Sequence, residues 1–165
     1  MTDSPSLCIA DTNVLVDLHN GGVLAAMFLL PYTFGAPDVI VAELQVPDGQ
    51  SLVSMGLRSE ELPAEQVLEV AALAEQHRTV SVNDLFALVL ARYKSATLLT
   101  GDRRLRQLAD REGIRVHGVL WVLDEMVRLE RLSAARAASA LEAILACGAR
   151  LPRAECDGRL RRWTA

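Results

Sequence analysis

Four acidic residues adjoin short apolar runs, where a carboxylate that is drawn into the protein could do chemistry. They are Asp11, Glu43, Asp84 and Asp102. Carboxylates brought together repel one another, and the repulsion raises their pKa values unless a cation offsets it. No lysine or histidine lies close in sequence to Asp11 or Glu43 to offset it. A divalent ion would, and Mg²⁺ prefers oxygen ligands. Such an ion activates water and stabilises charge on a phosphate that is being cleaved.

Each acid also has an ordinary structural explanation. Asp11, Asp84 and Asp102 each stand where a helix is predicted to begin, and an acid there is stabilised by the helix dipole. Glu43 could be a surface residue. For any one position alone the structural explanation is favoured, but the four together favour a metal site. Other acids suit helix faces or caps better, namely Asp17, Asp38, Asp110 and Asp124.

The acids must be positioned by strands that alternate with helices. Apolar, partly β-branched runs at residues 7–10, 32–36, 96–100 and 114–116 predict strands. Strands that alternate with helices predict an α/β fold, a three-layer sandwich around a mostly parallel sheet. Asp11 and Asp102 would then each follow the carboxyl end of a strand and face the same crevice. Asp84, which begins the helix before the Asp102 strand, would ordinarily lie at the opposite edge.

Chain length and the remaining segments predict one domain of 165 residues. Its core is expected at residues 7–118, followed by a helical extension at 119–165 with helices at 119–132, 134–147 and 154–163. Residues 38–44 suit one short helix, although a strand at 39–41 is an open alternative. Residues 46–50 contain Pro47 and Gly49 and predict a loop.

Composition narrows the function classes. The net charge of −4 does not by itself indicate a nucleic-acid-binding protein. Arginines are nevertheless clustered directly after Asp102 and in the last sixteen residues. A solvated helix face is the favoured explanation for any one of them, but a polyanionic substrate would require such a basic surface beside the acids. The cysteines, Cys8, Cys147 and Cys156, are odd in number and widely spaced, which predicts reduced thiols without a disulfide or zinc pattern. The N-terminal segment lacks the features of a secretory signal, which predicts a cytoplasmic location.

The four acids lie in motifs that, in this order, resemble those of PIN-domain nucleases. The motifs are Asp11-Thr12-Asn13-Val14-Leu15-Val16-Asp17, Val41-Ala42-Glu43-Leu44, Asp84-Leu85 and Leu99-Thr100-Gly101-Asp102. One such triplet is weak evidence, whereas four in order are fairly specific. The resemblance implies a PIN-like fold that gathers the four acids in one pocket, Asp84 included. It also implies that they bind Mg²⁺ or Mn²⁺ or position water, with Thr12, Asn13 and Thr100 as supporting polar groups.

The same resemblance implies a reaction and partners. The reaction is hydrolysis of an RNA phosphodiester by metal-activated water. Many small bacterial members are VapC-type toxins, which are typically homodimers inhibited by an antitoxin protein that covers the site. Two segments depart from the compact toxins. Residues 45–76 carry no matching motif, and residues 119–165 are longer than such toxins need.

Three other functions compete with the nuclease. A phosphatase of the haloacid dehalogenase kind needs an acid two residues after its nucleophile, but Asn13 stands there, and Lys94 is the chain's sole lysine. A catalytically inactive PIN-like module would bind RNA or a protein, yet it has no need of four acids. A plain interaction scaffold would use the apolar helices at 119–147 as a dimer face.

Overall fold

The computed structural model describes residues 5–165 and is built around a sheet of five parallel strands. The strands are β1 (Leu7–Ala10), β2 (Thr33–Pro37), β3 (Arg58–Glu60), β4 (Thr97–Leu99) and β5 (Val116–His117), in the spatial order β3-β2-β1-β4-β5. Parallel strands need crossover connections, and the helices that supply them cover the sheet. The predicted α/β fold class is therefore confirmed, and every strand is parallel to its neighbours.

Helices make up most of the remaining described chain. They are α1 (Thr12–Asn20), α2 (Leu24–Met27), α3 (Asp38–Glu43), α4 (Gly49–Met55), α5 (Ala64–Gln76), α6 (Val82–Tyr93), α7 (Arg103–Arg111), α8 (Val119–Arg128), α9 (Ala134–Ala146) and α10 (Arg153–Trp163). Within residues 5–165, none of these helices has the length and apolar character that crossing a membrane requires.

Helix α6 is the centre of the core. It is apolar on nearly every side, and Leu85, Leu88, Val89 and Leu90 are fully buried. A helix that is apolar all round must be covered all round. Accordingly, α6 packs against β1, β2 and β4 on one side and against α5 and α7 on others. Its burial fixes the position of its first turn, which carries Asp84.

Local structure settles one open alternative and departs from the sequence predictions in two places. The helix predicted over 38–44 is confirmed as α3, which ends at Glu43 and buries Ile40 and Val41, so the alternative of a strand at 39–41 is wrong. The predicted loop at 46–50 already contains the start of α4, where Asp48 caps the helix by accepting from Ser51 N at 2.9 Å. The helix predicted over 119–132 ends at Arg128, and Glu130 takes a left-handed φ of 55°.

The C-terminal helices share the core of the sheet domain. Helix α9 packs against α1 and α10, while α8 packs against α1, α2 and β5. Leu141 and Ile144 of α9 are fully buried. A Cβ atom added at Gly21 would lie 3.1 Å from Ile144, so the turn after α1 is in close contact with α9. The apolar faces of these helices are thus used within the chain, which argues against the scaffold interpretation.

Candidate metal centre

The carboxyl edge of the sheet brings the ends of β1 and β4 to the same level. Ala10 pairs with Leu99 in parallel register. The next backbone group continues the pairing, since Asp11 N donates to Leu99 O at 3.0 Å. Asp11 and Thr100 therefore follow two adjacent strands side by side, at the edge where parallel α/β sheets bind ligands.

Asp11 is a fully buried carboxylate held by two hydrogen bonds. Its Oδ1 accepts from Val14 N at 2.9 Å and so caps α1, and its Oδ2 accepts from the Thr100 hydroxyl at 2.5 Å. Burial, with smaller contributions from the nearby charges of Asp84 and Asp17, raises the pKa of Asp11 from 3.8 to about 7, against the lowering effect of the two hydrogen bonds. At neutral pH the side chain is balanced between its neutral and charged forms.

Asp102 occupies the equivalent place after β4. Its Oδ1 accepts from Leu105 N at 2.8 Å and caps α7, and its own backbone N–H donates to Thr100 Oγ1 at 3.1 Å. Thr100 thus connects the two strand-end acids through one buried hydroxyl. This hydroxyl orients the Asp11 carboxylate directly, whereas the role of Thr100 as a polar group beside a metal ion stays a prediction.

Asp84 lies at this same edge, so the expectation from simple topology that it sits at the opposite edge is wrong. A crossover helix runs antiparallel to its strands and therefore begins where they end. Ser81 caps α6, its hydroxyl accepting from Asp84 N at 3.1 Å. Burial raises the pKa of Asp84, and the charge of Asp102 raises it further.

Glu43 reaches the edge from the other side, at the end of α3. It is exposed, and its Oε2 accepts from the Asn83 side chain at 2.6 Å. Asn83 directly precedes Asp84, so this bond places Glu43 beside the first turn of α6. The sequence analysis gave Asn83 no role in the site. Its role as the partner of Glu43 depends on a contact between residues forty positions apart.

These residues form what we call the acidic centre, consisting of Asp11, Glu43, Asp84 and Asp102. Thr12 and Asn13 line a cavity of about 540 Å³ with the first turn of α6, including Asp84. Oxygen donors of this kind suit a hard divalent ion. The pKa values of Asp11 and Asp84, raised in part by neighbouring carboxylates, reflect a repulsion that a cation would relieve. Within residues 5–165, however, no three acidic, histidine or cysteine side chains are already arranged around one point as metal ligands.

Asp17 is closer to the acidic centre than its helix-face assignment suggested. Burial raises its pKa to about 6, and its charge contributes to the raised pKa of Asp11, the residue that caps α1. The other acids given weaker cases stay outside. Asp124, for example, is paired with Arg159 at 2.6 Å and with Arg162 at 3.3 Å. Spacing in the sequence gave no signal for Asp17, since a separation of six places two residues on different faces of a helix.

Comparison with known proteins identifies the fold family. A protein-family model described as "DUF3368: PIN domain" matches residues 7–165. Among solved structures, the chain resembles one in the crystal structure of VapBC2 from Rickettsia felis bound to a DNA fragment from their promoter. That alignment has 18% sequence identity and a TM-score of 0.48, and it covers 68% of this chain and 98% of the other. No curated protein sequence matches the chain. The PIN resemblance inferred from the four motifs is confirmed by the family model.

Proposed function

The chain belongs to the PIN-domain family, and from that premise we propose that it is a metal-dependent endoribonuclease. The observation that carries the proposal is the convergence of Asp11, Asp84 and Asp102. Their charges act on one another at the carboxyl edge of the sheet although the residues are far apart in sequence. Gathering carboxylates costs free energy, and a bound divalent cation is the simplest compensation.

The four acids are proposed to hold Mg²⁺ or Mn²⁺ or to position water. The ion, when bound, would supply an activated water and stabilise charge on the scissile phosphate. The protein contributes orientation. Val14 N and the Thr100 hydroxyl hold both oxygens of Asp11, and Leu105 N holds one oxygen of Asp102. Thr12 and Asn13 lie on the wall of the adjoining cavity, where they can contact the substrate.

The wider role that we propose follows the family resemblance of the motifs. The chain would be a single PIN-like domain, with residues 119–165 as a helical extension, that acts on RNA in the cytoplasm. A toxin role would add an antitoxin protein that covers the acidic centre, and a homodimer. Two hydrophobic side chains on α5, Val67 and Leu68, are 39% and 72% exposed and offer apolar surface for association.

One observation favours a second candidate, a catalytically inactive PIN-like module that binds RNA or a protein. The described residues hold no ready-made group of three metal ligands, so an ion would have to draw the carboxylates closer. The two candidates differ in one measurable property. The nuclease loses activity when a carboxylate is neutralised, whereas the module has no cleavage to lose.

The test is cleavage of unstructured RNA by purified protein with Mg²⁺, with Mn²⁺ and with a chelator. We expect wild-type cleavage with an ion and none from Asp11→Asn, which keeps the size and the cap-accepting oxygen of the side chain. Asp110→Asn is the matched control, since this aspartate is exposed on α7. Equal cleavage by wild type and Asp11→Asn would discard the acidic centre. No cleavage by any of the three proteins would favour the binding module.

A further inference from the structure

A second cavity lies on the other side of the Asp102 turn. Its volume is about 560 Å³, and it runs from Gly101 and Arg103 along β5 and the start of α8 to the loop before α10. Pockets of this size hold a small ligand or one residue of a polymer. Gly101 and Arg103 flank Asp102, so the cavity begins where the acidic centre ends.

The cavity is locally basic in a chain of net charge −4. Four arginines line it, Arg103, Arg106, Arg150 and Arg159, against two acids, Asp124 and Glu155. The acids are already paired, since Asp124 and Glu155 both contact Arg159, at 2.6 and 3.7 Å. Four arginines against two acids leave the lining with a net positive charge, which Arg103, Arg106 and Arg150 carry. We call this site the arginine cavity.

Arg106 is held in place by the backbone of the acidic centre. Its Nε donates to Thr100 O at 3.1 Å, and Thr100 is the residue whose hydroxyl binds Asp11. A Cβ atom added at Gly118 would lie 2.5 Å from Arg106 Nη2, so the guanidinium lies directly over that glycine. A guanidinium fixed at one nitrogen keeps its other N–H groups for a phosphate. Arg103 and Arg150 are exposed and adaptable.

The arginine cavity also has an aromatic wall. His117 and Trp121 stack with ring centroids 4.3 Å apart and planes 6° from parallel. Tyr32 packs against Trp121 from elsewhere in the fold, with centroids 5.4 Å apart. Burial and the charges of Arg115 and Arg106 lower the pKa of His117 against the opposing charge of Glu125, which favours the neutral ring. Flat neutral rings beside guanidinium groups suit a base and a phosphate together.

We propose that the arginine cavity binds a nucleotide of single-stranded RNA next to the cleavage point. This inference rests on the proposed ribonuclease function and names the part of the chain that holds its substrate. The arginines would contact phosphates, and the His117–Trp121 wall would contact a base. An acidic protein segment could use the arginines but has no need of the aromatic wall, so RNA is favoured. Residues 119–165 would then form part of the substrate site.

Binding is measured first, in a chelator, so that cleavage does not enter. The probe is a labelled, unstructured RNA of about ten nucleotides, a length that spans a single-strand site, and the readout is fluorescence anisotropy at several salt concentrations. Arg103→Gln/Arg150→Gln should weaken binding about tenfold and lower the slope of log K against log salt by about 1.4, for two lost phosphate contacts. Arg111→Gln/Arg161→Gln is the control, since it removes the same charge from the same two regions outside the cavity.

The aromatic wall has its own readout. The chain has two tryptophans, and Trp163 is only 6% exposed, so an RNA base that stacks in the cavity should quench Trp121 alone. Trp121→Phe should abolish the quenching but keep most of the affinity. Inorganic phosphate should bind weakly without quenching. Poly-glutamate that competes with RNA and binds more tightly would overturn the proposal in favour of a protein partner.

The outcomes separate this inference from the proposed function. Equal affinities and equal salt slopes for the cavity and control variants would overturn the arginine cavity while leaving metal-dependent cleavage intact. Cavity-dependent RNA binding by a wild-type protein that cleaves nothing with Mg²⁺ or Mn²⁺ would overturn the ribonuclease and retain the binding site. Cleavage with a KM raised only in the cavity variant would support both.

Discussion

The acidic centre and the arginine cavity meet at one turn but are built differently. The acids are short side chains, and Asp11 and Asp102 each cap a helix through a backbone N–H. The cavity's free charges are carried by long side chains, of which Arg103 and Arg150 are exposed. From this contrast we infer different roles for the two sites. The rigid acidic centre would carry out the reaction, and the adaptable arginine cavity would bind the polymer.

The strongest test of this difference is to substitute two neighbouring residues, Asp102 in the acidic centre and Arg103 in the arginine cavity. Asp102→Asn keeps a helix-capping oxygen, since Asn and Asp cap about equally well, but removes the charge. We expect kcat for RNA cleavage to fall about a thousandfold, the scale of losing several kcal/mol of charge stabilisation. Arg103→Gln should instead raise KM several-fold with kcat nearly unchanged. Steady-state kinetics on the two variants measures both, and the same kinetic change in both would erase the distinction.

The pH dependence of stability tests how strongly burial disfavours the charged form of Asp11. The folded protein holds the Asp11 proton up to about pH 7, whereas the unfolded chain releases it near 3.8. Stability from the neutral carboxyl is therefore fully present below pH 3.8 and is lost as pH rises towards 7. Asp11→Asn does not ionise, so it should be more stable than wild type by roughly 2–4 kcal/mol at pH 8 in a chelator.

The measurement is denaturant unfolding at pH 4 and pH 8, with Asp110→Asn as the exposed control. Asp17 also has a raised pKa, but it is present in both proteins, so its effect largely cancels in the difference. An advantage of Asp11→Asn that is the same at both pH values would show that the buried carboxyl does not titrate as described.

Metal binding should offset that advantage. An ion that binds only the folded state at about a hundred times its Kd stabilises it by about 3 kcal/mol. We expect millimolar Mg²⁺ or Mn²⁺ to raise the Tm of wild type at pH 8 and to leave that of Asp11→Asn unchanged. The Arg103→Gln/Arg150→Gln variant serves as a control and should respond like wild type, because the arginine cavity lies outside the metal centre. A wild-type melt that ignores both ions would count against a metal site.

The smallest effect concerns the hydroxyl that joins the two strand-end acids. Thr100→Val keeps the shape of the buried side chain but leaves Asp102 N–H without its acceptor and Asp11 Oδ2 without its donor. An unsatisfied buried group costs about 1–3 kcal/mol, which unfolding in denaturant would detect. The exposed Thr79 provides the matched control, Thr79→Val, expected to change stability by less than about 0.5 kcal/mol. Equal losses in both variants would mean that the Thr100 bonds contribute nothing.

Much of the acidic centre could be predicted from the sequence because the signals for it lie within a few neighbouring residues. Asp11 and Asp102 each follow an apolar strand and precede a helix, and a strand that ends in a capping acid is visible within a few residues. The order of strands and helices likewise predicted the parallel sheet. The placement of Asp84 was mistaken from topology alone, because the direction of the crossover helix was not taken into account. The family resemblance placed Asp84 in the same pocket as the other acids.

Sequence alone determined the elements, the parallel α/β architecture and the acids at the strand ends, since each depends on periodicity and on neighbours in the chain. Tertiary structure decided the rest. It decided the bond between Glu43 and Asn83 and the burial that raises the pKa of Asp11. It also brought Arg103, Arg150 and Trp121 together around one cavity. All three depend on contacts between segments that are far apart in sequence. Spacing along the chain contains no record of such contacts, because they depend on how the helices pack against the sheet.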